Sequence, residues 1–225
     1  MTVPDVTPGE DRDVAGASAD RERDRRKAKD RAATKAKYGG GVVGDIAVAL
    51  TPERQSTRAW GTGAIGEREV GAALDRLTSA SIRVLHDRRI PRSKANIDHI
   101  VVTPSGVWVI DTKRYVDKRV ERRAEGGLFS PRVQKLYVRG SDKTPLVDGM
   151  LKQVSHVREA VGEVPITGVL CFVDADWSLF AETFTVSGVH VMWPKKLITL
   201  LKRGAEPVID VSTVFEVLNS TFVRA

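Results

Sequence analysis

Apolar residues in this chain change period repeatedly, from helical spacing to strand-like runs and back. In GTGAIGEREVGAALDRL, residues 61–77, Ile65, Val70, Ala73, Leu74 and Leu77 recur at helical spacing and predict an amphipathic helix. Residues 81–88 predict a strand, and residues 97–102 and 107–113 predict two more around a Thr103-Pro104-Ser105-Gly106 turn. GGLFSPRVQKLYVRG, residues 126–140, predicts an irregular hairpin. Residues 147–161 return to helical spacing, with Met150, Val154, Val157 and Val161 on one stripe and Gln153 at its border. Strand-like segments at 166–173 and 183–192 and closing helices at 194–203 and 211–222 complete the alternation of an α/β domain whose helices cover a sheet.

Acids interrupt the apolar run IDHIVVTPSGVWVIDTK where burial should forbid them. With a four-residue loop, Thr103 to Gly106, Val102 pairs with Val107 and the antiparallel register puts Asp98 opposite Asp111. Side chains alternate along a strand, so Asp98, Asp111 and Lys113 then share one face. A loop one residue shorter puts Asp98 opposite Thr112 and separates the two carboxylates. Paired carboxylates raise each other's pKa unless a proton or a cation intervenes. Hard oxygen donors without histidine or thiol favour Mg2+, with Mn2+ as a substitute, over zinc. Lys113 supplies a cation on the same face, suited to orienting a water or steadying charge on a phosphate. The plainer reading of Asp111 and Lys113 is a salt bridge at a strand end.

A third acid lies upstream, because Glu67 falls at i, i+3 and i+7 with Val70 and Leu74, on or beside the inward stripe of its helix. An inward carboxylate needs a partner. The competing role is to cap the first turn, which Gly61, Gly63 and Gly66 would permit.

Gly66-Glu67 on a helix, Ile97-Asp98-His99 on one strand and Ile110-Asp111-Thr112-Lys113 on the next resemble, as an ordered set, the nuclease-related domain (NERD) family of the PD-(D/E)XK nuclease superfamily. The resemblance covers roughly residues 60 to 165. It implies a restriction-endonuclease-like α/β fold, a mixed central sheet flanked by helices, and a metal-dependent nuclease acting on nucleic acid, DNA favoured over RNA. It further implies that Asp98 and Asp111 bind metal, that Glu67 joins directly or through water, that the Thr112 carbonyl adds a ligand, and that Lys113 assists catalysis. Gln153 matches a glutamine that the family carries on a later helix. Asp111 stands where the family more often has Glu, and Asp117 where a glycine is expected. One alternative is a non-catalytic nucleic-acid-binding or interaction module on a nuclease-like fold. Another is a restriction-type enzyme or resolvase, which would act as a homodimer.

Charge agrees with a polyanionic partner: the 225 residues carry a formal net charge of +7. Arg114, Lys118, Arg119, Arg122 and Arg123 follow the acid strand directly, and Arg132, Lys135, Arg139 and Lys143 extend the basic region. Such residues suit salt-dependent, sequence-independent phosphate contacts. Residues 1–58 read as a separate charged segment, disordered or a solvated helix, before a domain at 59–225. Its apolar patch VVGDIAVAL is too short to span a bilayer, and no secretory signal pattern appears, so the chain reads as cytoplasmic with no membrane partner. Cys171, alone in an apolar strand, reads as a small hydrophobe, and His86, His99, His156 and His190 lack zinc-ligand spacing. His99 alternates away from Asp98 and is expected to bond within the fold on the opposite side of the hairpin. Trp177 and Trp193 read as packing aromatics.

Overall fold

A computed structural model describes residues 15–38, 55–127, 130–177, 182–203 and 206–225. Five helices are described: α1 Ala17–Tyr38, α2 Gln55–Asp75, α3 Thr144–Val161, α4 Pro194–Leu201 and α5 Val211–Thr221. The strands are β1 Arg83–Arg89, β2 Asn96–Thr103, β3 Gly106–Arg114, β4 Val120–Gly127, β5 Ser130–Val138, β6 Ser141–Asp142, β7 Ile166–Val173, β8 Phe184–Val186 and β9 Val189–Met192. Six of them form a mixed sheet in the order β1-β2-β3-β7-β9-β8, and β4-β5-β6 form a second sheet. β3 and β7 are parallel, while β1, β2 and β3 are antiparallel neighbours.

The central hairpin keeps the expected register with a shorter loop. Val102 faces Val107, and Thr103 also pairs with Gly106, leaving Pro104 and Ser105 as a two-residue turn. Removing two residues from the loop preserves the parity of the strands, so no side chain changes face. Gly106 is fixed by space and conformation: its φ is +134°, and a Cβ there would stand 2.4 Å from the Pro165 carbonyl oxygen. The segment expected as one strand at 183–192 is instead two, because Ser187 and Gly188 both take positive φ, 49° and 82°, and turn the chain into a tight hairpin.

The faces of the sheet bury different helices. Ile100, Val102, Val107 and Val109 pack with Val147, Met150 and Val157 of α3 and with α5. On the other side Val101, Ile110, Val169 and Cys171 pack with Val70 and Leu74 of α2 and with α4. α2 is rotated from its expected stripe: Ile65 is 45% exposed and Ala64 is fully buried instead. A small residue is needed there because α1 lies against α2, Gly16 approaching Ala64 and Ala15 approaching Gly71, where a Cβ would come within 2.4 Å of the Ala15 Cβ.

The charged run 20–37 therefore forms a helix whose first turns are held. The Ser18 amide and hydroxyl both donate to Asp87 at 2.6 Å, so a β1 carboxylate caps α1, and Arg68 pairs with Asp20. Gly39 to Gly41, the VVGDIAVAL patch and Pro52 lie outside the described residues. Among the described residues no helix is long and apolar enough to cross a membrane.

Candidate active site

The end of β1, the start of β2 and the end of β3 meet at one end of the sheet, outside the carboxyl ends of the parallel strands, where open α/β sheets commonly place ligands. His99 paired with Ile110 is the last rung of the β2–β3 ladder on this side. Continued one residue, the register sets Asp98 against Asp111. The Asp98 carboxylate takes over from the backbone beyond that rung, with Oδ2 accepting the Thr112 N–H at 2.7 Å. A strand residue's N–H and C=O project to the same edge, so the Thr112 carbonyl lies on the Asp98 side of β3. Lys113 Nζ donates to Asp111 Oδ1 at 2.7 Å.

Glu67 comes from α2, on the opposite face of the sheet. Gly66 lets the helix settle on the end of β3, since a Cβ there would stand 3.1 Å from the Arg114 Cβ and 3.4 Å from the Thr112 Cγ2. Burial pushes the Glu67 carboxyl up to about 7; Lys113 opposes this, while Asp87, Asp111 and Asp20 add to it. Burial likewise holds Asp98 well above the usual carboxylate range, reinforced by Asp111 and Glu67 and opposed by Lys113 and the Thr112 amide. Burial alone would lower Lys113, but Asp111, Asp98 and Glu67 outweigh it and raise its pKa. Fully ionised, three carboxylates round one ammonium would carry an excess of negative charge, and the raised Glu67 and Asp98 carboxyls hold protons against it.

That excess is the test of fit for a cation. Among the described residues no group of three His, Cys, Asp or Glu side chains stands close enough to hold a metal ion as a ready-made cage. The donor set nevertheless suits a hard divalent ion: it is all oxygen, its carboxyls would carry surplus negative charge when ionised, and it already draws protons and an ammonium to itself. Mg2+ is often held by one or two carboxylates with water and phosphate completing the shell.

Gln153 lies on α3, over the sheet face that carries Asp98 and Asp111. Its Oε1 is buried with no hydrogen-bond partner, and among the described residues it makes no bond to the acids. The basic residues after β3 divide into two groups. Arg114 pairs with Asp174 at 2.7 Å, Arg119 with Asp176 at 3.8 Å, and Arg123 with Glu121. Lys118 and Arg122 have no acidic partner among the described residues, and Arg122 lies 5.9 Å from the Phe184 ring centroid. Arg114, Lys118 and Arg119 stand at the site end of the sheet, because the chain from Tyr115 to Val120 bonds along the 173–176 backbone at the end of β7, while Arg122 and Arg123 lie on β4 of the second sheet. Asp117, in the place of an expected glycine, adopts φ 53°, a left-handed conformation that aspartate tolerates better than most residues.

Two acids escaped the sequence reading. Asp87 and Asp20 both press on Glu67, yet Asp87 reads as an ordinary strand-end charge and Asp20 as part of a solvated run. Only the docking of α1 brings Asp20 near. His99 behaves as its alternation implied: it is buried on the α2 side, and its Nδ1 lies 2.8 Å from the His86 Nδ1. Trp177 packs against Trp193, Phe172 and Phe184 with ring centroids 5.1, 6.5 and 6.4 Å away. Burial also pushes the Cys171 thiol up, which keeps it a neutral core group.

A mixed sheet whose acids converge at one end, fed by a carboxylate from the first core helix, is a nuclease-like α/β architecture. Residues 62–173 match the nuclease-related domain, NERD, and the chain belongs to that family. No curated protein and no solved structure matches the chain.

Proposed function

We propose that the protein is a cytoplasmic, divalent-metal-dependent nuclease that hydrolyses nucleic-acid phosphodiester bonds, with DNA as the preferred substrate. The observation that carries this reading is the cross-strand pair Asp98 and Asp111 with Lys113 on the same face and Glu67 beside them, a half-buried cluster that would carry more negative charge than its own lysine balances once its carboxyls ionise. A fold has no structural need to crowd its acids in this way. Asp98 and Asp111 would hold Mg2+ or Mn2+, with Glu67 joining directly or through water and the Thr112 carbonyl on the same side. When bound, the ion supplies Lewis-acid polarisation of the phosphate and a more acidic water.

The remaining roles belong to the chain itself. The Thr112 amide fixes the Asp98 carboxylate, so that its second oxygen is aimed by a backbone bond rather than by a flexible side chain. Lys113, held by Asp111, presents a positive charge where a phosphate would gain negative charge. The unpaired Lys118 and Arg122 contribute salt-dependent backbone attraction. Gln153, with its buried free oxygen, supports the site from α3.

Incubating the purified protein and Asp111→Ala with single-stranded, double-stranded and branched DNA, in Mg2+, Mn2+ or chelator, tests the proposal. Metal-dependent cleavage by the wild type alone is expected. Absence of cleavage with binding intact in chelator would instead favour a binding module.

A further inference from the structure

A cavity of about 430 Å³ opens between the first turns of α1 and the adjoining ends of β1 and β2. Arg21 and Arg25 from α1, Arg89 at the end of β1 and Lys94 from the β1–β2 turn line it, with Asn96 at the start of β2. Two of these cations are engaged, Arg21 with Asp87 at 3.8 Å and the Ala225 carbonyl, Arg25 with Glu22 at 2.8 Å. Arg89 and Lys94 are exposed and have no ion pair among the described residues. The acid on the wall, Glu22, is neutralised by Arg25 and by Arg26 at 2.6 Å. What remains is a concave surface with surplus positive charge.

Its position gives the ligand. Asn96 precedes Asp98 by two residues on β2, so the two side chains share a face and lie about 7 Å apart along the strand. The Asn96 amide donates to Asp87 at 3.2 Å, and the Asp87 charge is felt at Glu67, so the cavity adjoins the acid cluster through two named side chains. That offset is roughly one nucleotide of backbone. Among the described residues no aromatic side chain lines the cavity, so its lining offers no ring for a base to stack on.

We propose that this cavity is a subsite for a phosphate of the nucleic-acid strand next to the bond at the acid cluster, with Arg89 and Lys94 as the principal contacts. The phosphate is either a terminal monoester or the neighbouring internal diester. The inference rests on the nuclease reading, but its test does not require cleavage. Fluorescence anisotropy in chelator follows labelled oligonucleotides with a 5′-phosphate, a 3′-phosphate or hydroxyl ends, competed by circular single strands.

In the Arg89→Gln/Lys94→Gln double variant, affinity is expected to fall at least tenfold, and the slope of log affinity against log salt to shrink by about 1.4, two contacts at about 0.7 each. The charge-preserving Arg89→Lys/Lys94→Arg pair is expected to recover most of the slope. Loss confined to end-phosphorylated strands identifies the terminal phosphate, and loss that extends to circular competitors identifies the internal one. Wild-type affinity and slope in the folded double variant for every strand would overturn the subsite while leaving the hydrolysis proposal untouched. Wild-type binding without cleavage under any metal would do the reverse.

Discussion

Two clusters of buried polar side chains sit back to back on the β2–β3 hairpin, and they solve the same problem in opposite ways. On the α2 face, His99 bonds to His86, whose Nε2 reaches the exposed Asp75 at 2.9 Å. The carboxylate accepts from the His86 Nε2–H, and the two Nδ1 atoms share one hydrogen bond between the rings. Burial first, and His86 second, holds the His99 pKa well below its usual value. On the α3 face, one residue earlier in β2, Asp98 joins Asp111 and Lys113, and burial and the neighbouring carboxyls hold Asp98 against its charge. The histidine pair leaves a single ring nitrogen, His99 Nε2, without a partner, whereas the acid cluster crowds three carboxyls round one ammonium, an arrangement suited to a cation that the chain does not contain.

The largest effect should come from the unbalanced side. Asp111→Ala is expected to reduce cleavage at least about a thousandfold, several kcal/mol of transition-state stabilisation, with the circular dichroism spectrum unchanged. Full activity in that variant would make the acid pair no different in kind from the histidine pair.

Next comes the balanced side. His99→Ala removes a fully buried ring and strands the His86 Nδ1, and is expected to cost about 3 kcal/mol in denaturant titrations, while cleavage per folded molecule stays close to wild type. A loss of activity without a loss of stability would place His99 in the chemistry after all.

A somewhat smaller effect separates the clusters by pH. The folded Glu67 keeps its proton to about pH 7, against 4.5 as its ordinary value. The folded state thus binds more protons between those values, and stability falls as pH rises from about 4.5 to about 7, then levels. In chelator, Glu67→Gln is expected to be more stable than wild type at pH 8 by on the order of 2–3 kcal/mol and equal to it near pH 4. Parallel curves across that range would mean that the carboxylate is not held against its charge.

The smallest effect lies on the basic surface. Arg122→Gln, which removes a cation without an acidic partner, is expected to weaken DNA binding a few-fold and to lower the salt slope by about 0.9 on duplex DNA. Arg114→Gln, which removes a paired one, should lower it less.

Most of the hairpin was legible because its chemistry is periodic. Alternation placed Asp98, Asp111 and Lys113 together and His99 apart, and an even change in loop length left that outcome intact. The helix that carries Glu67 was legible in kind and misread in phase: Ile65 looks like core by hydrophobicity, whereas Ala64 and Gly71 are inside because another helix passes over them. Nothing in a polar run such as residues 20–37 announces that its first turns dock, since the contact is made by Ala15, Gly16 and Ala19 and by a cap borrowed from Asp87 in β1. Asp20, Asp87 and the cationic cavity depend on that docking and were therefore invisible along the chain.

The most direct test of the acid cluster is metal binding itself, by calorimetry with Mn2+ at pH 6.5 in two buffers of different ionisation enthalpy, on wild type, Asp111→Ala and His99→Gln. The expected result is one Mn2+ per wild-type chain with proton release, as raised carboxyls ionise to meet the ion, retention of that binding in His99→Gln, and its loss in Asp111→Ala. Equal Mn2+ binding by wild type and Asp111→Ala, or binding without proton release, would contradict the claim that these carboxylates are held in readiness for a cation.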